Sequence, residues 1–407
     1  MLGTIHEYAR EKFEESEEAE EVRRLHAEHF LALAEEAEPQ LKGAEQLEWL
    51  DRLEEEHDNI RAALGWSFGR GEAEAGLRLA GALVRFWYVR GHLSKGRRWL
   101  EEGLVEADSS EVAPSVRAKA LVGLGLVVDE QEGDYEKAAR LYERGLAMYR
   151  ELGDREGTAN GLYNLGVMVG HNQGDHERAT TLLEESLGIY RELEDEHGIA
   201  SLLNALGMVA TVQGDQVRSL TLYEEALTAS REAGDAAGVA RGLGNLSYAV
   251  LLLGDHERAI GLAEEALARS REQGNTLFTF VALHNLGLAA REQGDHERAT
   301  AALKEVLALG WEIGDNLGVA ETLEVLAGLA GMLKEDRRAT RLWGAALEWR
   351  EATGAHLSNT ERALHEPYLD TARSRLGETA WEEALAQGRA MKLERAIAYA
   401  LDEDDRA

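Results

Sequence analysis

The chain has 407 residues, and its 76 aspartates and glutamates against 44 lysines and arginines give a formal net charge of −32. A negative field of this size repels a phosphate backbone, so direct binding of nucleic acid is not expected. The lack of cysteine excludes a disulfide framework, a thiolate metal site and a cysteine nucleophile. No apolar stretch approaches the length of about 18 residues that suggests a membrane span, so we expect a cytoplasmic protein without membrane contact.

Residues 1–72 predict an N-terminal helical cap. Residues 1–15, MLGTIHEYAREKFEE, have the pattern of a short amphipathic helix. The segments 20–37 and 44–68 have the pattern of two longer helices, which we expect to form a hairpin at the start of the next domain.

From about residue 115 to 355 the chain repeats itself with a period of 40 or 41 residues, and a further unit is expected at about 75–112. The octapeptide QGDHERAT stands at 173–180 and again at 293–300, and further Gly-Asp pairs lie between them at the same step. A second series of turns alternates with these pairs, so each period holds two helical segments of about 20 residues, as in a solenoid. In each turn, glycine permits the left-handed conformation that ends a helix, and the following aspartate caps the next helix.

The aligned periods place leucines and small residues at fixed positions. The first helix of each unit carries two leucines three positions apart, the second of which is followed by a small residue. Because one helix pair cannot bury its own apolar stripe, neighbouring pairs must stack. In the second helix a small residue is followed eight positions later by Leu146, Leu187, Leu227, Leu267, Leu307 or Leu347.

These columns resemble the tetratricopeptide repeat, in a form of about 40 residues. The matching features are the Leu-Gly pair, as at Leu165-Gly166, the Gly-Asp turn, and the small residue four positions after that aspartate, as at Ala179. The family's first-helix tryptophan is replaced by leucine and its closing proline is absent, which fits helices that run on to the second turn. The resemblance implies an all-α fold, a right-handed superhelical α-solenoid of about seven antiparallel helix pairs over residues 73–355, with helical caps at both ends.

Residues 356–407 leave the 40-residue register and predict a C-terminal helical cap. Three helices are expected, around 358–376, 378–388 and 391–402. Their apolar residues would seal the last repeat, as terminal caps of solenoids do, and the acidic end would fray. The sealing residues are Trp381, Leu385, Leu393, Ile397 and Leu401.

Candidates for ligand binding are the first-helix residues that face the concave side of such a solenoid. These positions carry cations, amides and rings and no acid until the last unit, where Glu321 and Glu324 occupy them. Asparagine is a poor helix former, yet its amide donates and accepts hydrogen bonds, which suits an extended peptide backbone. In the family that the chain resembles, asparagine at this column commonly contacts bound peptide. The predicted ligand groove consists of Arg78, Arg85, Lys119, Asn160, Tyr163, Asn164, Asn204, Met208, Arg241, Asn245, Tyr248, His284 and Asn285.

The sequence predicts no catalytic set. It lacks the GxxxxGK[ST] phosphate loop and a Gly-x-Ser-x-Gly elbow, so neither ATP hydrolysis nor serine nucleophile chemistry is expected. His26 and His29 stand three residues apart, a spacing found in metal sites, but two ligands are too few and no third partner is visible. His176, His256 and His296 recur because the repeat recurs. We therefore predict a non-enzymatic chain without metal or cofactor.

The N-terminal stretch resembles a second family. Residues 5–9 (IHEYA) and 49–64 (WLDRLEEEHDNIRAAL) resemble the junction of the large bacterial STAND signal-transduction ATPases, in which a nucleotide-binding module and a winged helix precede a repeat domain. The resemblance implies that this chain is the sensor or docking half of such a signalling or transcription-regulatory system. Its partner would be a protein or peptide segment, extended and acidic, or the upstream nucleotide-binding module.

Two alternative functions stay open at this point. The repeats could hold the ATPase module of the same system in an inactive state until an effector binds. They could instead form a small-molecule effector domain, for which Phe86, Trp87 and Tyr88 near one end would be suitable.

Overall fold

The computed structural model describes residues 16–41, 45–132, 134–172, 174–353, 357 and 359–401. In these residues every regular element is an α-helix, which confirms the all-α fold class. The helix expected over 1–15, Gly133 and the acidic residues 402–407 lie outside them. The helices are α1 (Ala19–Gln40), α2 (Gln46–Glu55), α3 (His57–Gly69), α4 (Ala73–Ala82), α5 (Val84–Arg90), α6 (Leu93–Ala107), α7 (Pro114–Glu132), α8 (Tyr135–Leu152), α9 (Arg155–Asn172), α10 (His176–Glu192), α11 (Glu196–Gln213), α12 (Gln216–Glu232), α13 (Ala236–Leu252), α14 (His256–Glu272), α15 (Thr276–Gln293), α16 (His296–Ile313), α17 (Asn316–Met332), α18 (Asp336–Thr353), α19 (Asn359–Leu376), α20 (Glu378–Arg389) and α21 (Leu393–Ala400).

The helices fall into two compact units. The first unit comprises residues 1–202 and 232–235, and the second comprises 203–231 and 236–407. Consecutive helices pack as pairs, α7 with α8 and α9 with α10 in the first unit, and α13 with α14, α15 with α16 and α17 with α18 in the second. The odd-numbered helices from α7 to α17 are the first helices of the repeats, and the even-numbered helices from α8 to α18 are the second helices.

The turns between the helices have the predicted geometry. Glycines that end a helix hold positive φ angles, for example 67° at Gly153 and 86° at Gly294, and Glu194, which stands in the place of glycine in one turn, holds φ of 56°. The carboxylates of Asp175 and Asp295 each accept a hydrogen bond of 3.1 Å from the backbone N–H three residues on. These caps satisfy donors that the first turn of a helix cannot pair internally. The second helices α8, α10, α12, α14 and α16 all begin directly after such an aspartate.

The predicted columns of leucines and small residues lie in the core, except that Leu347 is only partly buried. Leu187 and Leu307 are 6% and 0% exposed, and the small residue Ala179 is fully buried. Gly207 shows why the first helix needs a small residue here, because a Cβ atom on it would lie 2.6 Å from the ring of Tyr223. The close approach of the two helices of a pair therefore depends on this column.

The C-terminal helices of the second unit take two different positions. Helices α20 and α21 pack on α18, and Trp381, Leu393 and Ile397 are buried there. Helix α19 contacts α17 and α18 and extends over further first helices, a position that the expectation of a simple end cap did not include. Among the helices that the structure describes, none has both the length and the apolar character needed to cross a membrane.

Candidate functional site

Three predicted groove cations of the first unit bind the segment around α1. Arg78 forms two hydrogen bonds to the carboxylate of Glu35, at 2.8 and 2.9 Å. Arg85 donates to the backbone carbonyl that directly follows α1, at 2.6 Å. The ammonium of Lys119 forms an ion pair with Glu38. A ligand carboxylate at these positions would therefore compete with acceptors of the chain itself.

Asn160, Tyr163 and Asn164 form a half-buried polar group on the first helix α9, which we call the α9 patch. The amide of Asn164 donates to the backbone and side-chain oxygens of Asn160, at 2.9 and 3.0 Å. Asn160 in turn is hydrogen-bonded to the side chain of Tyr190 on α10. The three side chains thus lie within one turn of each other on a helix that the adjacent second helix supports.

In the second unit, asparagine amides connect successive first helices. Asn245 on α13 donates to the side-chain oxygen of Asn204 on α11 at 3.1 Å. Asn285 on α15 donates to the backbone carbonyl of Gly244 on α13 at 2.8 Å. Asn204 and Asn285 are each 5% exposed. The amide column proposed for ligand binding therefore also joins neighbouring repeats, a role that the column pattern alone did not indicate.

The other candidates of the second unit lie on α11, α13 and α15. Met208 and Arg241 are half-buried. Burial and the nearby carboxylate of Glu361 raise the pKa of Tyr248, and burial lowers the pKa of His284 to about 4, so this ring is neutral at neutral pH. Because Glu361 belongs to α19, this helix reaches the side of the first helices where a ligand was expected.

A buried ionic cluster joins α19 to α17 and α18. The guanidinium of Arg350 donates to both carboxylate oxygens of Glu324, at 2.6 and 3.1 Å, and to Glu361 at 2.5 Å. Glu321 lies 3.5 Å from the same guanidinium, and burial raises its pKa to about 8. Of the two acids expected to make the end of the groove acidic, Glu324 is paired with an arginine that the repeat columns did not identify, and the raised pKa of Glu321 favours its neutral form at neutral pH.

A second buried cation, Arg291 of α15, holds the middle of α19. Its guanidinium donates to the backbone carbonyl of Leu364 at 2.9 Å and lies 3.3 Å from Nδ1 of His365. It also lies 5.1 Å from the ring of Tyr368, whose hydroxyl donates to Glu292 at 2.8 Å. Arg291 is 0% exposed. Because these contacts are shielded from water, the loss of one partner would leave a buried polar atom unpaired.

Glu54, His57 and His92 come together in the first unit, with ligand-type atoms within 4.8 Å of one another. The imidazoles of His57 and His92 are parallel within 8°, with ring centroids 4.4 Å apart. Nε2 of His92 lies 3.0 Å from both carboxylate oxygens of Glu54. Stacked parallel rings direct their nitrogens side by side, whereas a shared metal ion needs them to converge. The geometry therefore favours a stacked histidine pair in which His92 is hydrogen-bonded to Glu54. The sequence did not reveal it because the residues come from separate segments.

The aromatic residues considered for a small-molecule pocket serve mainly in the core. Phe86 and Trp87 are 0% and 1% exposed, and Tyr88 is 42% exposed. A Cβ atom on Gly96 would lie 2.3 Å from the ring of Trp87, so this ring is closely packed. Because the rings of Phe86 and Trp87 are buried in the core, the small-molecule alternative loses most of its support.

Residues 116–192, 198–272 and 239–310 match the family model of the tetratricopeptide repeat. HTH-type transcriptional regulators from Mycobacterium bovis and Mycobacterium tuberculosis are 33% identical to this chain over 159 residues. That match covers 38% of this chain, and the chain spans only 18% of the length of these relatives.

Three solved structures resemble the fold over nearly the whole chain. A Rap protein complexed with Competence and Sporulation Factor aligns with a TM-score of 0.60 and 16% identity, over 94% of this chain and 99% of that chain. The apo form of the quorum sensor NprR from B. thuringiensis aligns with a TM-score of 0.58 and 16% identity, over 94% and 99%. The STAND protein with a tetratricopeptide repeat sensor from Pyrococcus horikoshii aligns with a TM-score of 0.58 and 16% identity, over 95% of this chain and 54% of that chain.

These structural matches establish the fold, and the family model identifies the repeat. Paired helices, capped glycine turns and buried leucine columns all follow the pattern that the resemblance implied. The solenoid fold predicted from the sequence is therefore confirmed, and residues 116–192 and 198–310 match the tetratricopeptide repeat.

Proposed function

We propose that this chain is a non-enzymatic domain that binds a protein or peptide segment, as the sensor or docking part of a bacterial signalling or transcription-regulatory ATPase. Its similarity to a Rap protein solved with a bound factor, to a quorum sensor and to a STAND sensor supports this proposal. The matched HTH-type transcriptional regulators support the regulatory context. The bound segment is extended and carries carboxylates.

The observation that carries the proposal is the polar first-helix surface of a chain with a net charge of −32. The α9 patch offers amides and a phenol on one helix, and Lys119 lies on the preceding first helix. Asparagine amides can pair with both the N–H and the C=O of an extended peptide. A carboxylate that displaces Glu38 from Lys119 would exchange one charge-assisted hydrogen bond for another, so its net gain is smaller than the about 1.5–3 kcal/mol of such a bond.

Calorimetry with extended peptides tests this proposal. We expect an acidic peptide to bind at least about tenfold more tightly than a basic peptide of equal length and apolar content, a difference of about 1.4 kcal/mol. Tyr163→Ala combined with Asn164→Ala should weaken binding of the acidic peptide by about tenfold, since each neutral hydrogen bond contributes about 0.5–1.5 kcal/mol. Thr181→Ala, at an exposed position on α10, is the control and should leave binding unchanged. Equal affinity for acidic and basic peptides would contradict the proposal.

A second candidate function is autoinhibition, in which the repeats hold the nucleotide-binding module of the same regulator until an effector binds. The observation in its favour is that the chain covers 18% of the HTH-type relatives and 54% of the STAND protein, so those proteins contain further modules. Adding this chain to the purified nucleotide-binding module of such a regulator separates the two functions. Suppressed ATP hydrolysis would support autoinhibition, and unchanged hydrolysis would contradict it.

A further inference from the structure

Helix α19 crosses the repeats of the second unit on the face formed by their first helices. Three of its residues, spaced four positions apart, contact three different first helices. The contacted residues occupy one column of the repeat, at positions 211, 291 and 331. Helix α19 therefore contacts one repeat column on α11, α15 and α17, along the same surface that was predicted to receive a ligand. The contacts are the hydroxyl of Thr360 with the carbonyl of Thr211 at 3.5 Å, the carbonyl of Leu364 with Arg291 at 2.9 Å, and Tyr368 with Gly331.

Helix α17, which is the first helix of the last repeat, has room for α19 because glycine occupies two of its columns. Gly328 stands in a column where another unit has Tyr248. A Cβ atom on Gly328 would lie 2.5 Å from the guanidinium of Arg291 and 3.5 Å from the ring of Tyr368. A Cβ atom on Gly331 would lie 3.1 Å from the backbone oxygen of Tyr368. A Cβ atom on Gly331 therefore needs only a small shift of α19, whereas a side chain as large as tyrosine at Gly328 would displace the helix.

One face of α19 makes these contacts, and the opposite face is exposed. His365, Leu369 and Ala372 are 4%, 3% and 0% exposed, at the three- and four-residue steps of a helix face. Arg362 and Asp370 lie on the exposed side. An amphipathic helix on a groove formed by other helices is a recurrent mode of recognition between proteins.

The anchors of α19 are polar, unlike those of the other C-terminal helices. Glu361 binds Arg350, and Tyr368 binds both Arg291 and Glu292. Buried ion pairs add little net stability because desolvation offsets their attraction, but they discriminate strongly between matched and unmatched partners. The interface therefore has the character of a selective binding site.

We propose that the first-helix face of the second unit is a helix-binding site, which α19 occupies as an internal competitor. The partner that fits it is an amphipathic helix with a carboxylate, a histidine and a tyrosine at the spacing of Glu361, His365 and Tyr368. The carboxylate binds Arg350, and the tyrosine lies on Arg291. This inference deepens the proposed function, since it rests on the chain being a protein-binding domain and adds a second class of ligand.

A labelled synthetic peptide of residues 360–376 is the probe, measured by fluorescence anisotropy against the full chain. The wild-type chain should bind it weakly, because its own tethered α19 competes at an effective concentration on the order of millimolar. Tyr368→Ala with Leu369→Ala in the chain should loosen α19 and increase the affinity for the peptide at least about tenfold. A peptide with Asp370→Ala, at an exposed position, should bind like the parent peptide, and a peptide with Tyr368→Ala should not bind.

An engineered disulfide provides the matched control, since the chain has no cysteine of its own. A Cβ atom on Gly331 lies 3.6 Å from the Cβ atom of Tyr368, within the range of about 3.5–4.5 Å for disulfides. The double variant Gly331→Cys with Tyr368→Cys should therefore cross-link α19 when it is oxidised. We expect the reduced form to bind the peptide and the oxidised form to lose this binding at least tenfold, with equal helix content by circular dichroism.

Equal binding of the peptide to the oxidised and reduced forms would overturn this inference. Failure of the loosened chain to bind the peptide, with unchanged circular dichroism, would also overturn it. The acidic extended peptide distinguishes the two proposals, because its contacts on the α9 patch lie in the first unit. If that peptide binds and the helical peptide does not, only the helix-binding site is refuted.

Discussion

The guanidinium of Arg291 donates a hydrogen bond of 2.9 Å to the backbone carbonyl of Leu364, which lies 73 positions further along the chain. The arginine belongs to a repeat and the leucine to the C-terminal helix α19. The arginine is 0% exposed, so the contact is shielded from water. A fully buried side chain of the repeat array therefore binds a segment outside the array. This contact holds α19 on the first-helix face of the second unit.

Arg291→Ala should release α19. The change leaves the Leu364 carbonyl, His365 and Glu292 without their buried partner, and we expect a loss of about 2–4 kcal/mol in the free energy of unfolding. Hydrogen exchange of residues 360–376 should accelerate, while exchange of α9 should not change. Arg362→Ala, on the exposed side of α19, is the control and should change stability by less than about 0.5 kcal/mol. Unchanged exchange in α19 would show that Arg291 does not anchor it.

Asn285→Ala should weaken the connection between α13 and α15. The change removes the donor that pairs with the carbonyl of Gly244 at a site where Asn285 is 5% exposed. An unpaired buried carbonyl costs about 1–3 kcal/mol, measurable by urea unfolding. Thr228→Ala, at an exposed second-helix position, serves as the control. A similar small effect of both changes would mean that this amide does not hold the repeats together.

Gly207→Ala and Gly261→Ala should change stability in opposite directions. Alanine favours a helix over glycine by about 1 kcal/mol. At Gly207 the added Cβ would lie 2.6 Å from the ring of Tyr223, and overpacking of about 1–3 kcal/mol should outweigh that gain. At Gly261 no heavy atom lies within 4 Å of the added Cβ, so the change should stabilise the chain. Thermal melting of both variants tests the sign of each change in stability. A lower Tm for Gly261→Ala than for the wild type would contradict the packing argument.

Glu321 should make the second unit less stable as the pH rises. Burial raises its pKa from 4.5 to about 8 against the opposing effect of Arg350, with Glu361 and Glu324 also nearby. The folded chain therefore binds a proton more readily than the unfolded chain between these values, and the stabilisation is complete below pH 4.5 and lost as the pH rises through 8. Urea midpoints between pH 6 and 9 should fall in the wild type. Glu321→Gln, which stays neutral, should flatten this profile, and an unchanged slope would exclude Glu321 as its source.

His284 should produce a loss of stability on the acidic side. Burial lowers its pKa from 6.5 to about 4, and the positive charges of Arg291 and Arg350 act in the same direction, against the carboxylate of Glu361. The unfolded chain then binds the proton more readily, so the stabilisation is complete above pH 6.5 and lost as the pH falls toward 4. His284→Gln should reduce the slope of the urea midpoint between pH 6.5 and 4. The same slope in both proteins would contradict this assignment.

The candidate groove could be predicted only in part. The repeat columns correctly identified which helix of each pair carries a residue such as Asn164 or Asn245, because a fixed period places equivalent side chains on equivalent faces. They did not reveal that Asn245 donates to Asn204, since a column shows that two side chains share a face and not whether their atoms meet. The repeat columns also could not predict the partners of Arg78 and Lys119, because these partners belong to α1, which lies outside the periodic part of the chain.

The sequence by itself determined the helix pairs and their stacking. A left-handed glycine, a capping aspartate and a leucine stripe each act over a few residues. Because they recur every 40 positions, the same helix pair forms in each repeat. Only the tertiary structure decided that α19 lies across the first helices of the second unit, anchored by Arg291 and Arg350. Those contacts join a segment without the period to residues within it, and their free energy depends on burial and on hydrogen-bond geometry, which no pattern of residue types records.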